Sequence, residues 1–82
     1  MHDQPTRLWL VRRGEHEITC LVRLVPYGIE IDIARNGRVW LTRAFDTDSE
    51  ALAWADTKRR TKEAQGWSPV ELSPADLDLP AS

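Results

Sequence analysis

Hydrophobic and polar positions alternate with a period of two in four separate runs before residue 46, and the pattern then changes to the three-and-four spacing of a helix. The first run, Arg7 to Arg13, sets Leu8, Leu10 and Arg12 against Arg7, Trp9, Val11 and Arg13. Gly14-Glu15 reads as the turn into a second run, from Glu17 to Val25. There Ile18, Cys20, Val22 and Leu24 alternate with Thr19, Leu21 and Arg23. Pro26, Tyr27 and Gly28 interrupt it. The third run, Ile29 to Arg35, is the cleanest, with Ile29, Ile31 and Ile33 on its inward side. Asn36-Gly37 then predicts a type I′ hairpin, whose two central residues both need positive φ. The fourth run sets Val39 and Leu41 against Arg38, Trp40 and Thr42.

A helix begins at Thr47, which stands three residues before Glu50 in the capping-box spacing. Asp48 and Glu50 suit the positive end of the helix dipole, and Lys58, Arg59, Arg60 and Lys62 suit the negative end. Gly66 is expected in the left-handed conformation that ends the helix, with Trp67 folding back on the last turn. Ala51, Leu52, Trp54 and Ala55 form the inward stripe, and Trp54 is expected at the centre of the core against the three isoleucines. These elements predict an α+β fold: a four-stranded antiparallel meander covered on one face by a single C-terminal helix. Residues 1–6 are expected to fray, 7–67 to form one domain, and 68–82, with three prolines, to be an extended or disordered tail.

Composition narrows the function more by exclusion than by suggestion. A chain of 82 residues is one domain, and at this size it buries only about 60% of its unfolded surface. Four tryptophans are therefore a large share of the available core. The net charge of −2 supplies no global attraction for nucleic acid, although most of the arginines fall in the strands. The single cysteine, Cys20, rules out an internal disulfide and a paired-cysteine zinc site, and it alternates as a small core residue. With no signal-peptide pattern and no apolar run of about 20 residues, the chain is expected in the cytoplasm and away from membranes.

No nucleophile–base arrangement, carboxylate pair at a cleft or Gly-rich phosphate loop can be assembled, so the chain reads as non-enzymatic, without cofactor, metal or small-molecule substrate. His16 between Glu15 and Glu17 is a solvent-exposed turn histidine on this reading. The candidate site is instead the sheet face away from the helix. Strict alternation puts Trp9, Val11, Arg13, Thr19, Leu21, Arg23, Glu30, Asp32, Ala34, Arg38, Trp40 and Thr42 there, and an apolar and arginine-rich sheet surface marks a contact surface. Trp9, Arg13, Leu21, Arg23, Arg38 and Trp40 are its predicted binding residues. Arginines for phosphates and indoles for stacking suit DNA. Glu30 and Asp32 suit a homodimer or another protein partner. Burial of the patch by the tail is a third reading. The Lys58–Lys62 run reads as a solvated helix end, and as an anion site it requires the exposed arginines of the sheet beside it.

The run Gly37-Arg38-Val39-Trp40-Leu41, followed by Phe45-Asp46-Thr47, Glu50-Ala51 and Trp54, resembles the ethylene-response-factor type of DNA-binding domain. It is also similar to the arm-type DNA-binding domains of phage and transposon integrases, and to small bacterial proteins that join such a sheet to a Gly-Trp-terminated helix. The resemblance to the DNA-binding domains implies a three-stranded sheet with one helix whose outer face enters the major groove. It also implies that Arg38 and Trp40 contact DNA, with Arg23 as helper. One extra residue between Leu41 and Phe45 predicts a bulge or register shift there, and Glu30 and Asp32 stand where those domains carry basic residues.

Overall fold

In a computed structural model, which describes residues 6–70, the chain forms strands β1 (Thr6–Arg13), β2 (His16–Val25), β3 (Gly28–Arg35) and β4 (Arg38–Phe45). Helix α1 (Asp48–Ala64) follows, and then a two-residue strand β5 (Ser68–Pro69). The sheet is antiparallel in the order β4-β3-β2-β1-β5, so the expected meander forms and β4 is an edge. Beyond the expected end of the domain, Ser68 and Pro69 pair with β1 and the Val70 N–H donates to the Leu10 carbonyl at 2.9 Å. The expectations for residues 1–5 and 71–82 lie outside the described residues. No described helix is long and apolar enough to cross a membrane.

The local devices form where the residue types demand them. Asn36 and Gly37 both have positive φ, at 51° and 86°, which turns β3 into β4. Asn36 is further held by donation of its N–H to Glu17 O and by its side-chain oxygen, which accepts from the Glu17 N–H, each at 2.8 Å. Thr47 caps α1: its hydroxyl accepts from the Glu50 N–H at 3.2 Å and also lies 3.1 Å from Glu50 Oε1. At the other end Gly66 sits at φ 95°, the Trp67 N–H reaches Lys62 O at 3.0 Å and the Gly66 N–H reaches Glu63 O at 3.1 Å. This pair of bonds is the Schellman motif, which leaves Trp67 to turn back and bury itself.

The core is assembled from Trp9, Val11, Ile18, Cys20, Ile29, Ile31 and Ile33 on the strands, with Ala51, Ala55 and Trp67. The two alanines let α1 approach the sheet, where it meets β1, β3 and β4. An apolar cleft lined by Val22, Leu24, Ile29, Ala51 and Leu52 lies beside the helix. Trp54 is not the centre of this core. It is half-buried at the flank of the helix, its ring 5.6 Å from that of Phe45, while Trp9 and Trp67 occupy the interior.

Two β-bulges reset the alternation on which the predicted sidedness rests. Arg7 pairs with Leu21 and Trp9 with Cys20, so Leu8 has no partner of its own and the strand changes phase after it. Residues directly opposite one another share a face. Trp9 and Val11 therefore join Cys20 and Ile18 in the core, while Leu10 and Arg12 join Thr19 and Glu17 on the other side. On β4, Ile33 pairs with Leu41 and Ala34 with Val39, which leaves Trp40 as the extra residue. Leu41 to Phe45 pairs without interruption, so the irregularity lies before Leu41 and not after it. Val39 and Leu41 end on opposite faces, and Val39 is exposed.

Candidate binding surface

The outward face predicted from strict alternation is not the one that forms. Trp9 is 9% exposed and its indole N–H donates to the Ala55 carbonyl of α1 at 3.0 Å, so it faces the helix. Arg13 lies opposite His16 at the end of β1 near Gly66, the left-handed residue that ends α1. Leu21 and Arg23 do lie on the face away from the core, opposite Asp32 and Glu30. Arg38 stands opposite Arg35 at the mouth of the hairpin, and Trp40 turns toward α1, with Lys62 Nζ 5.8 Å from its ring centroid. Of the six predicted residues, Leu21 with Arg23 and Arg38 with Trp40 stay together as pairs. Trp9 leaves the surface.

What remains on the far face is a charge network satisfied within the chain. Arg23 lies 2.5 Å from Glu30 and 3.5 Å from Asp32, so the two carboxylates that suit a protein partner are met by a residue of the neighbouring strand. The Thr42 hydroxyl donates to Asp32 and the Tyr27 hydroxyl to Glu30, each at 2.7 Å. The bond to Glu30 and its charge raise the Tyr27 pKa. Arg12 pairs with Glu17 on the same face. Behind this network, burial and then the Asp32 charge push the Cys20 thiol from its ordinary 9.0 to about 12, which leaves it a protonated core residue.

The helix cations divide by the side of the helix they occupy. Arg59 and Arg60 reach Asp56 at 2.6 and 2.9 Å. Lys58 and Lys62, one turn apart, extend the row that begins at Trp54, and this row runs along β4. Lys58 Nζ lies 5.2 Å from the Trp54 centroid, Arg43 Cζ lies 5.8 Å from the same ring and 5.2 Å from that of Phe45, and Lys62 is over Trp40. These are cation–π distances. Two cations thus attend one indole. Among the described residues, no carboxylate forms an ion pair with Arg38, Arg43, Lys58 or Lys62.

The result is a strip of cations and aromatic rings between α1 and the open edge of β4. The sheet arginine beside Lys58 is Arg43, which is outside the predicted site, whereas Arg23 lies on the far face. The four-residue spacing of Trp54, Lys58 and Lys62 is the signal for one row that the sequence reading missed, and that row cannot be set against Arg43 and Trp40 without the packing of α1 on β4. Among the described residues no group of histidine, cysteine, aspartate and glutamate is placed to hold a metal ion. No protein family, curated protein or solved structure matches the chain.

Proposed function

We propose that this chain is a non-catalytic cytoplasmic binding domain for nucleic acid, engaged along the strip formed by Arg38, Trp40, Arg43, Lys58 and Lys62. In this reading α1 closes the apolar face of the sheet and its lysine row borders the site. The supporting observation is the contrast in charge. Arg12 and Arg23 of the far face are neutralised by carboxylates, whereas Arg43, Lys58 and Lys62 beside exposed or half-buried rings, and Arg38 on the same strand as Arg43, carry none. Phosphates would relieve the mutual repulsion of these cations, and the rings offer bases a stacking surface. Arg38 and Trp40 are also the two positions that the resemblance to DNA-binding domains implies as contacts.

The test is a titration of labelled DNA at several salt concentrations. Four phosphate contacts give a slope of about −3 to −4 in log K against log salt. Arg43→Gln and Lys58→Gln should each flatten that slope by about 1. A response independent of salt removes the proposal.

A second reading, self-association along the open β4 edge, is favoured by the exposure of Val39 at 53% and Trp40 at 48%. Its measure is sedimentation: Trp40→Glu should convert a dimer to a monomer. Two unpaired cationic edges repel one another, which ranks this reading below the first.

A further inference from the structure

We infer that the strip takes single-stranded nucleic acid in preference to duplex, with a base stacked on Trp40; this rests on the nucleic-acid reading above and names its substrate class. The bulge in β4 sets the position of this indole. An uninterrupted β4 would point Trp40 to the side of Thr42 and Asp32, but the extra residue re-aims it toward Lys62 while leaving it 48% exposed on an edge strand. An indole in that position offers an aromatic surface to solvent, with Lys62 at its ring and Arg43 and Lys58 further along the strip to hold phosphates. Stacking on such a ring is open to a base whose faces are free. In a duplex those faces are occupied by neighbouring base pairs, and the protein must enter a groove instead.

Two neighbouring surfaces that a duplex would also have to meet carry carboxylates. Away from the lysine row, the helix carries Asp56 and Glu63, paired carboxylates that engage Arg59 and Arg60 and would face a duplex backbone there. The far face, which the resembling domains lay in the major groove, here carries the Arg23–Glu30–Asp32 network, whose two carboxylates oppose a phosphate backbone. A flexible strand avoids both obstacles because it can follow the edge of β4 alone. The four cations match about four phosphates, the lower end of the site sizes used by sheet-based single-strand binders.

The experiment compares the full chain with four probes under one buffer: oligo-dT and oligo-U of about ten nucleotides, a duplex of the same length, and polyphosphate, which has charge without bases. The expected result is tighter binding of the single strands than of either other probe. Trp40→Ala should weaken single-strand binding between about five- and a hundredfold and leave polyphosphate binding unchanged, and Trp40→Phe should retain most of the affinity. Far-UV circular dichroism checks that both variants fold. A preference for dT over U, or the reverse, tells DNA from RNA within the same class. Duplex bound as tightly as single strand, polyphosphate bound equally well, or no effect of Trp40→Ala overturns this inference and leaves the nucleic-acid reading standing. Failure of all four probes to bind ends both.

Discussion

Trp9 Nε1 donates to the carbonyl of Ala55 at 3.0 Å, a bond across 46 residues that ties the first strand to the middle of the helix. The same indole is buried among Val11, Cys20 and Trp67. A side chain that supplies both packing and the link between sheet and helix is a larger part of stability than one at the helix flank.

Trp9→Ala should therefore cost about 3–5 kcal/mol, and Trp9→Phe, which keeps most of the volume but loses the bond, about 1–2 kcal/mol. Trp54→Ala should cost less than Trp9→Ala, because Trp54 is half-buried and packs at the edge against Phe45. Urea unfolding of the three variants gives the order, and an equal or larger loss for Trp54→Ala would contradict it.

Two glycines separate conformational strain from steric collision. Gly66 has φ 95° but a Cβ there meets nothing closer than Arg13 Nε at 3.9 Å, so Gly66→Ala should cost only the left-handed penalty of about 1–2 kcal/mol. At Gly28, with φ 149°, a Cβ would lie 2.3 Å from the backbone oxygen of Phe45. Gly28→Ala must shift β4 and should cost clearly more than Gly66→Ala by thermal unfolding.

The buried thiol makes stability fall in alkali. Cys20 has its folded pKa raised above the unfolded value, so its contribution is complete below pH 9 and is lost as pH rises toward about 12. Cys20→Ala should remove this part of the decline between those values. At pH 8 the wild-type thiol should react with iodoacetamide only as fast as the chain opens, which alkylation rates in increasing urea will show.

Arg23→Ala leaves Glu30 and Asp32 without their cation on adjacent positions of one face. Arg23 is partly exposed, which lowers its worth to about 1 kcal/mol. The loss should shrink when Asp32 is also replaced by asparagine, and a double-mutant cycle by urea unfolding reads the coupling. Additive losses would show that the two residues do not act together.

The turns and caps were legible because their causes are local. Asn36-Gly37 satisfies positive φ at adjacent positions, Thr47 bonds a group three residues away, and Gly66 closes a helix whose carbonyls lie within the last turn. None of these depends on what lies across the fold. The four strands and the helix rest on the same reasoning, as do the inward isoleucines of β3. The site was less legible, since a period-two pattern keeps its meaning only while the pairing stays in register.

One extra residue at Leu8 and one at Trp40 each shift the phase of their strand, and alternation along the chain contains no mark of either. Whether a bulge forms depends on what each phase would bury. At β1, the phase taken buries Trp9 and Val11 in the core and gives the indole its bond to Ala55, which requires a helix 46 residues away. At β4 the bulge brings Trp40 beside Lys62. The amino-acid sequence thus carried the elements, their order and their ends, which are set by contacts within a few residues. The sidedness of the first and last long strands, and with it the cation–aromatic strip, came from distant packing, because burial is shared among elements and no single segment can satisfy it alone.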